Sequence, residues 1–387
     1  MHMADFKSEP MYRYLLILTL CATGGVQAWR TLFDNFAVNI IHLDGYHVGI
    51  LQSLREVPGF LALLVVYVLL FIREHKLAAT SVLIMAIGIA LTGFFPSFYG
   101  VIFTTLLMSF GFHYFETANQ SLTLQYFTQQ EAPLVFGKLR SISAACNVGI
   151  GVFFLLFAPL LNYTSMYLII AAVIILAVLW AMQYNPTKRD LPLQRKEMVF
   201  RKRYWLFYLL TFFSGARRQI FMAFAVFLLV KKFNFTIQEI AALFLLNNFV
   251  NYFLSPFIGK CIVKYGERKV LSLEYFSLIL VFCGYAVVED KYLAGLLYVA
   301  DHIFFNSSIA IKTFFQKICD PADIAPSMAV GFTINHIAAV ILPTVGGLLW
   351  LVDYRIPFLL GAFLCILSFI SAQFVSSQIL KTQHDSQ

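Results

Sequence analysis

Charge is what this 387-residue chain has least of: Asp, Glu, Lys and Arg make up 12% of it, against 60% hydrophobic residues. A soluble domain carries about 25% charged residues to cover its surface. A water-exposed globular body is therefore excluded. Cysteine is sparse too. Cys21, Cys146, Cys261, Cys283, Cys319 and Cys365 are scattered without metal-type spacing, so they define neither a zinc module nor a disulfide framework. The chain has no phosphate-binding G-x-x-x-x-G-K-[ST] loop to point to ATP as an energy source. Nor do its apolar runs alternate with period two, which excludes a membrane β-barrel.

What fills the chain is a series of twelve apolar stretches, most of them about 20 residues long, the length needed to cross about 30 Å of hydrocarbon. They predict helical spans over 12–36, 47–72, 78–97, 99–126, 139–161, 164–184, 204–231, 236–262, 270–288, 292–315, 327–351 and 355–378. The first follows Lys7 and Arg13, but it is too long for a signal peptide and lacks a small-residue cleavage site. It reads as a retained span.

The second six spans repeat the first six. Arg30, Phe33, Phe36, Ala37 and Val38 coincide with Arg218, Phe221, Phe224, Ala225 and Val226 at a constant offset of 188 residues. The fold expected is an all-α polytopic membrane protein of twelve transmembrane helices in two pseudo-symmetric six-helix halves, residues 1–184 and 204–387. The linker between them, 185–203, carries seven bases: Lys188, Arg189, Arg195, Lys196, Arg201, Lys202 and Arg203. Lys231, Lys232, Lys291 and Arg355 fall on the opposite side. That asymmetry predicts both termini and the linker on the cytoplasmic face of the cytoplasmic membrane. Orientation alone accounts for the linker charges, and the net charge of +8 is no nucleic-acid footprint.

An ionisable group inside a bilayer costs roughly 2.5–3.5 kcal/mol on insertion scales, so those kept there face protein or water. Spans 3, 6, 9 and 12 are nearly bare, apart from Glu274 and Gln373, and read as lipid-facing. Arg30 and Asp34 on span 1 lie four apart on one face. With Arg55 and Glu56 on span 2 they form either an outer gate of ion pairs or, for Arg30, a direct grip on substrate. Arg217 and Arg218 on span 7 cannot pair with each other. Asp301 or Glu116 could neutralise one of them. Otherwise Arg30 and Arg218, symmetry mates, converge with Arg217 on an anion, since the planar guanidinium fork suits carboxylate or phosphate.

Span 4 sets His113, Glu116 and Gln120 along one face, and span 10 carries Asp301, His302, Asn306 and Lys312. Glu116 and Asp301 are the candidate proton carriers, because a carboxylate in a low-dielectric cavity can toggle its charge with its surroundings. The alternative is a permanent ion pair. Asn247, His302, Asn306 and His336 can add neutral hydrogen bonds to a ligand, or join helices to one another. No metal site and no cofactor is expected.

The loop after span 8 reads Gly259-Lys260-Cys261-Ile262-Val263-Lys264-Tyr265-Gly266-Glu267-Arg268-Lys269. It resembles the cytoplasmic signature of the major facilitator superfamily, matched at Gly259, Lys264, Gly266, Arg268 and Lys269, with Val263 where that motif has an acid. The resemblance implies two six-helix halves, with helices 1, 4, 7 and 10 lining a cavity that opens alternately to each side, in a monomer. The function expected is secondary active transport of a small anionic or zwitterionic solute, coupled to a proton or, as the alternative, to sodium. Multidrug efflux, a membrane enzyme using Asp301 and His302, and a non-transporting receptor or scaffold are the rival readings.

Overall fold

The computed structural model describes residues 6–43, 45–157, 160–188, 191–305 and 308–385. Every long regular element among them is an α-helix. With no water in the hydrocarbon, each backbone N–H and C=O must find its partner within its own span, and a helix achieves this. The elements are α1 (Pro10–Asn39), α2 (Gly45–Phe60), α3 (Glu74–Thr92), α4 (Phe98–Tyr126), α5 (Ala132–Phe157), α6 (Tyr163–Ala181), α7 (Trp205–Lys231), α8 (Ile237–Tyr265), α9 (Glu267–Val287), α10 (Lys291–Phe305, with a second segment at Ile309–Ile318), α11 (Ile324–Val352), α12 (Arg355–Ala372) and a terminal α13 (Val375–Asp385). Ten helices of the described residues are long and apolar enough to cross a membrane.

Helix ends follow local chemistry. Pro10 opens α1, where its missing N–H costs nothing. Ser97 and Asn162 cap α4 and α6 by accepting from the Gly100 and Ser165 amides. Thr236 and Glu239 form a reciprocal capping box on α8. Gly266 ends α8 at φ +82°, a left-handed turn that reverses the chain into α9. Past Pro58, α2 tightens into a 3-10 turn at Leu61–Leu64 before a last helical turn, Val65–Val68.

The chain folds as two compact units. Unit 1 holds Met1–Phe127, Ile142–Val199 and Ala322–Phe332; unit 2 holds Thr128–Ser141, Phe200–Pro321 and Thr333–Gln387. Each unit thus contains a short segment from the other half of the sequence, and the two segments sit at equivalent places in the repeat. In unit 2, the Gly137 backbone meets α8 so closely that a Cβ there would lie 2.5 Å from the Ser255 carbonyl oxygen. Gly259 makes the same approach to Pro133, and the Ser141 hydroxyl donates to the Tyr252 carbonyl at 2.6 Å. In unit 1, Ala329 packs with Val65, Val66 and Leu77.

Lipid tails are as apolar as Leu, so close packing rather than the hydrophobic effect holds such helices together. Aromatic stacks supply much of it in unit 2: Phe221 on Tyr298 at 5.2 Å, Tyr285 on Phe358 at 5.0 Å and Phe224 on Trp350 at 5.7 Å. Unit 1 has Trp29 stacked on Phe33 at 4.3 Å and Phe36 edge-on to Tyr167. Large apolar side chains stay exposed along α6 (Val173, Leu176) and α9 (Leu273, Leu280), two of the helices that lack charge.

Candidate functional site

The charges of unit 2 collect around Arg217 on α7. Its side chain is 1% exposed, and its Nη2 donates to Glu274 Oε1 on α9 at 2.7 Å. The guanidinium also lies over the Tyr275 ring at 5.1 Å and the Phe305 ring at 5.7 Å. Asp301 on α10 is buried within electrostatic reach. The ion-pair partner of Arg217 is therefore Glu274, not Asp301 or Glu116. Two carboxylates around one sealed guanidinium give the cluster an acidic excess, which Arg140, 5.9 Å from the centre of the Phe305 ring, approaches.

Arg218 points elsewhere. One residue along a helix is a rotation of about 100°, and Arg218 is exposed where Arg217 is sealed. It makes no ion pair among the described residues. Asn247 on α8 is 4% exposed, and neither end of its amide has a hydrogen-bond partner among the described residues. His302 Nδ1 contacts the Tyr298 carbonyl at 3.1 Å, with its ring edge-on to Phe221. His336 is buried on α11. Asn306 and the Asp34 side chain lie outside the described residues, as does Arg189.

In unit 1, Arg30 is exposed on α1 beside Gln27 and Thr31, whose side chains bond along the same face. Arg55 and Glu56 pair with each other, Nη2 to Oε1 at 2.8 Å, both half-buried. Glu56 Oε2 is 4.0 Å from His113 Nε2 on α4. The far nitrogen of that ring, Nδ1, meets the Ser109 carbonyl at 2.9 Å, and the Ser109 hydroxyl donates to the Arg55 carbonyl. The same Nδ1 lies 3.0 Å from the Ser109 hydroxyl, so this nitrogen is held from the Ser109 side while Nε2 faces the carboxylate. Phe332 closes the ring edge-on at 5.9 Å. Glu116, half-buried on α4, has no hydrogen bond or ion pair among the described residues.

The α8–α9 turn completes the picture. Lys264 leans over Tyr265, Arg268 donates to the Gln373 side chain at 3.1 Å, and Lys269 is exposed. The acid of this loop is Glu267, 2% exposed and paired to Lys317 at 2.8 Å. A family model described as the Major Facilitator Superfamily matches residues 15–311.

The chain belongs to the major facilitator superfamily. Solved structures agree on the twelve-helix fold. The E. coli fucose:proton symporter FucP is 14% identical, with a TM-score of 0.76 over 94% of this chain and 98% of that one. A bacterial homologue of the iron transporter ferroportin, in its outward-facing state, is 13% identical at TM-score 0.78 over 95% and 99%. The human organic anion transporter MFSD10 is 14% identical at TM-score 0.71 over 94% and 99%. No curated protein sequence matches. As a superfamily member the protein is a multi-pass membrane transporter of a small-molecule solute rather than an enzyme.

Ser109 and the Glu56–His113 approach were missed in the sequence. Ser109 stands four residues before His113, a spacing that puts both on one face and could have been read. Glu56 is 57 residues from His113 on another helix, and nothing local signals their meeting.

Proposed function

We propose that the protein is a secondary active transporter that carries a small anionic or zwitterionic solute by alternating access, with its two sequence halves, 1–184 and 204–387, rocking about the solute. The observation that carries this reading is Arg218: a guanidinium midway along an apolar helix, with no ion pair among the described residues. Such a charge cannot face acyl chains uncompensated, and a wet crevice with an anionic ligand relieves it. Arg30, its repeat mate, is exposed on α1 and supplies the second fork. Asn247 needs a partner for both ends of its buried amide, since an unmade buried hydrogen bond costs roughly 1–3 kcal/mol. His302 and His336 can add neutral hydrogen bonds to the solute, and Arg217 stays with Glu274 as a fixed charge.

Glu116 and Asp301 carry the proton. Glu116 has no fixed cation among the described residues, and Asp301 shares its one sealed guanidinium with Glu274. The protein works as a monomer in the cytoplasmic membrane with both termini and the linker inside, the side its basic loops favour. Among the three structural neighbours, an organic anion, a proton-coupled sugar and iron are all represented, and identities of 13–14% do not choose between them. The unpaired arginine favours the anion and disfavours a lipophilic cation of the multidrug type. A divalent cation is the second reading, favoured by the Glu56–His113 approach; Arg55, bonded to the same carboxylate, weighs against it.

The test compares metabolites inside and outside cells making wild type or Arg218→Ala, followed by uptake of the solute that differs into proteoliposomes. The expected result is one anionic or zwitterionic species whose flux is lost with Arg218. Wild-type flux in Arg218→Ala removes that residue from the site.

A further inference from the structure

Helices α9 and α12 pack side by side: Tyr285 stacks on Phe358, and a Cβ on Gly361 would lie 2.5 Å from the Phe282 ring. Each carries a stripe of exposed side chains. On α9 the stripe is Lys269, Leu273, Phe276, Leu280, Cys283 and Val287, at steps of four and three that keep to one face. On α12 and just past its end, Leu359, Phe363, Ile366, Ile370 and Phe374 repeat the pattern. At about 1.5 Å per residue the α9 stripe covers about 27 Å, close to the thickness of a hydrocarbon core. Its apolar members therefore face acyl chains, and Lys269 stands at the level of the lipid headgroups.

Where the two stripes end, the α8–α9 turn and the α12–α13 segment enclose a notch of about 640 Å³. Arg268, Lys269 and Ser272 line it from α9, and Gln373, Ser376 and Leu380 from the α12–α13 segment. The acid of the turn, Glu267, is already neutralised by Lys317. Arg268 is held without being neutralised: its Nε and Nη2 both donate to the Gln373 amide oxygen, at 3.3 and 3.1 Å. That amide is fixed in turn, its nitrogen donating to the Ser272 hydroxyl and the Phe369 carbonyl, each at 3.0 Å. Neither Arg268 nor Lys269 has an ion pair among the described residues, and the Ser376 hydroxyl has no hydrogen bond among them.

We propose that this notch binds the phosphate of an anionic glycerophospholipid whose acyl chains lie along the α9 and α12 stripes. The guanidinium N–H groups of Arg268 that Gln373 leaves unused form a fork for two phosphate oxygens. Lys269 adds a second positive charge and Ser376 a neutral donor. Basic recesses at the ends of transmembrane helices suit such headgroups. The neutral clamp is what keeps the site attractive to an anion: a carboxylate in place of Gln373 would hold the guanidinium equally well and cancel its charge. A phosphate free in solution would meet the same donors, but the lipid is favoured because the notch lies where the acyl-facing stripes end. All of these residues belong to unit 2, and the site depends on neither the solute nor the coupling ion proposed above.

The experiment titrates the full-length protein in detergent with dioleoylphosphatidylglycerol, or with dioleoylphosphatidylcholine, whose choline cation offsets its phosphate. Bound lipids are counted by native mass spectrometry. Wild type is expected to hold its first phosphatidylglycerol about tenfold or more tightly than phosphatidylcholine. Arg268→Gln with Lys269→Gln, both at exposed positions, should erase that preference. Lys260→Gln with Lys264→Gln removes the same charge from the α8 side of the turn, outside the notch lining, and should leave the preference little changed. Millimolar inorganic phosphate should not displace the lipid. Wild type without a preference overturns the site. So does an equal loss in the two double variants, which would reduce it to diffuse surface attraction. Displacement by inorganic phosphate would make it a site for a free anion and overturn the lipid assignment.

Discussion

The charged clusters of the two units are built from similar parts and closed to different degrees. In unit 2, Arg217 and Glu274 are 1% and 0% exposed, walled by Tyr275 and Phe305. In unit 1, Arg55 and Glu56 keep about a fifth of their surface, 21% and 24%, and reach a histidine at the edge of contact. A sealed pair cannot exchange its partner without exposing a bare charge, so it serves as scaffold. A half-open one can rearrange when a proton or ligand arrives. The lesson is that an intramembrane arginine is a candidate for function when its counter-charge is missing or loose, and Arg218 is a better candidate on that ground than the sealed Arg217.

The comparison breaks most visibly at the sealed pair. Arg217→Ala or Glu274→Ala leaves one charge buried alone and should cost about 3–5 kcal/mol, read as a lowered midpoint of thermal unfolding in detergent. Arg217→Met with Glu274→Leu should recover most of that loss. If the single variants melt like wild type, the pair is not the scaffold described. Arg55→Ala tests the half-open cluster. Water can take over at Glu56, so the loss should be about 1 kcal/mol, and a cost equal to that at Arg217 would erase the contrast.

A smaller effect is expected at the Thr236–Glu239 cap, outside both clusters. Lys291 and the Thr236 amide, both bonded to Glu239, hold its carboxyl below the ordinary range. Its contribution is therefore present above the unfolded carboxyl pKa and disappears as pH falls through the lower folded value. Stability profiles of wild type and Glu239→Gln should run parallel at neutral pH and converge in acid; divergence in acid would reverse the sign. The smallest change in stability is expected for Arg218→Ala, within about 0.5 kcal/mol of wild type, with loss of solute flux as the outcome that the proposed site requires. Separately, Glu116→Gln and Asp301→Asn should abolish pH-driven accumulation while sparing counterflow exchange, and unchanged pH dependence in both would remove their proton role.

Much of the architecture was legible because a membrane demands long apolar helices and the duplication repeats them. The limits of the spans were less so. The fifth span was expected from residue 139, yet α5 already begins at Ala132, because a helix projecting past the bilayer no longer needs apolar side chains. Span 2 gave no sign of the 3-10 turn that follows Pro58. At the site, the repeat singled out Arg218 as the mate of Arg30, but only packing shows that Arg217 is the sealed one. Glu274 stood out merely as an exception on a bare helix, 57 positions from the arginine it holds. Among the linker bases, Lys188 and Arg195 have specific acidic partners that orientation alone did not require. Such pairings depend on which helices become neighbours, and local sequence does not encode that.

The exchanged segments also dictate an order of birth. Unit 1 takes its last piece, 322–332, from a stretch the ribosome reaches only after making residues 200–321. At about 5–20 residues per second, some ten seconds pass between emergence of the linker and arrival of that piece. Until then Val66 and Leu77 lack the contact with Ala329 that the complete chain gives them.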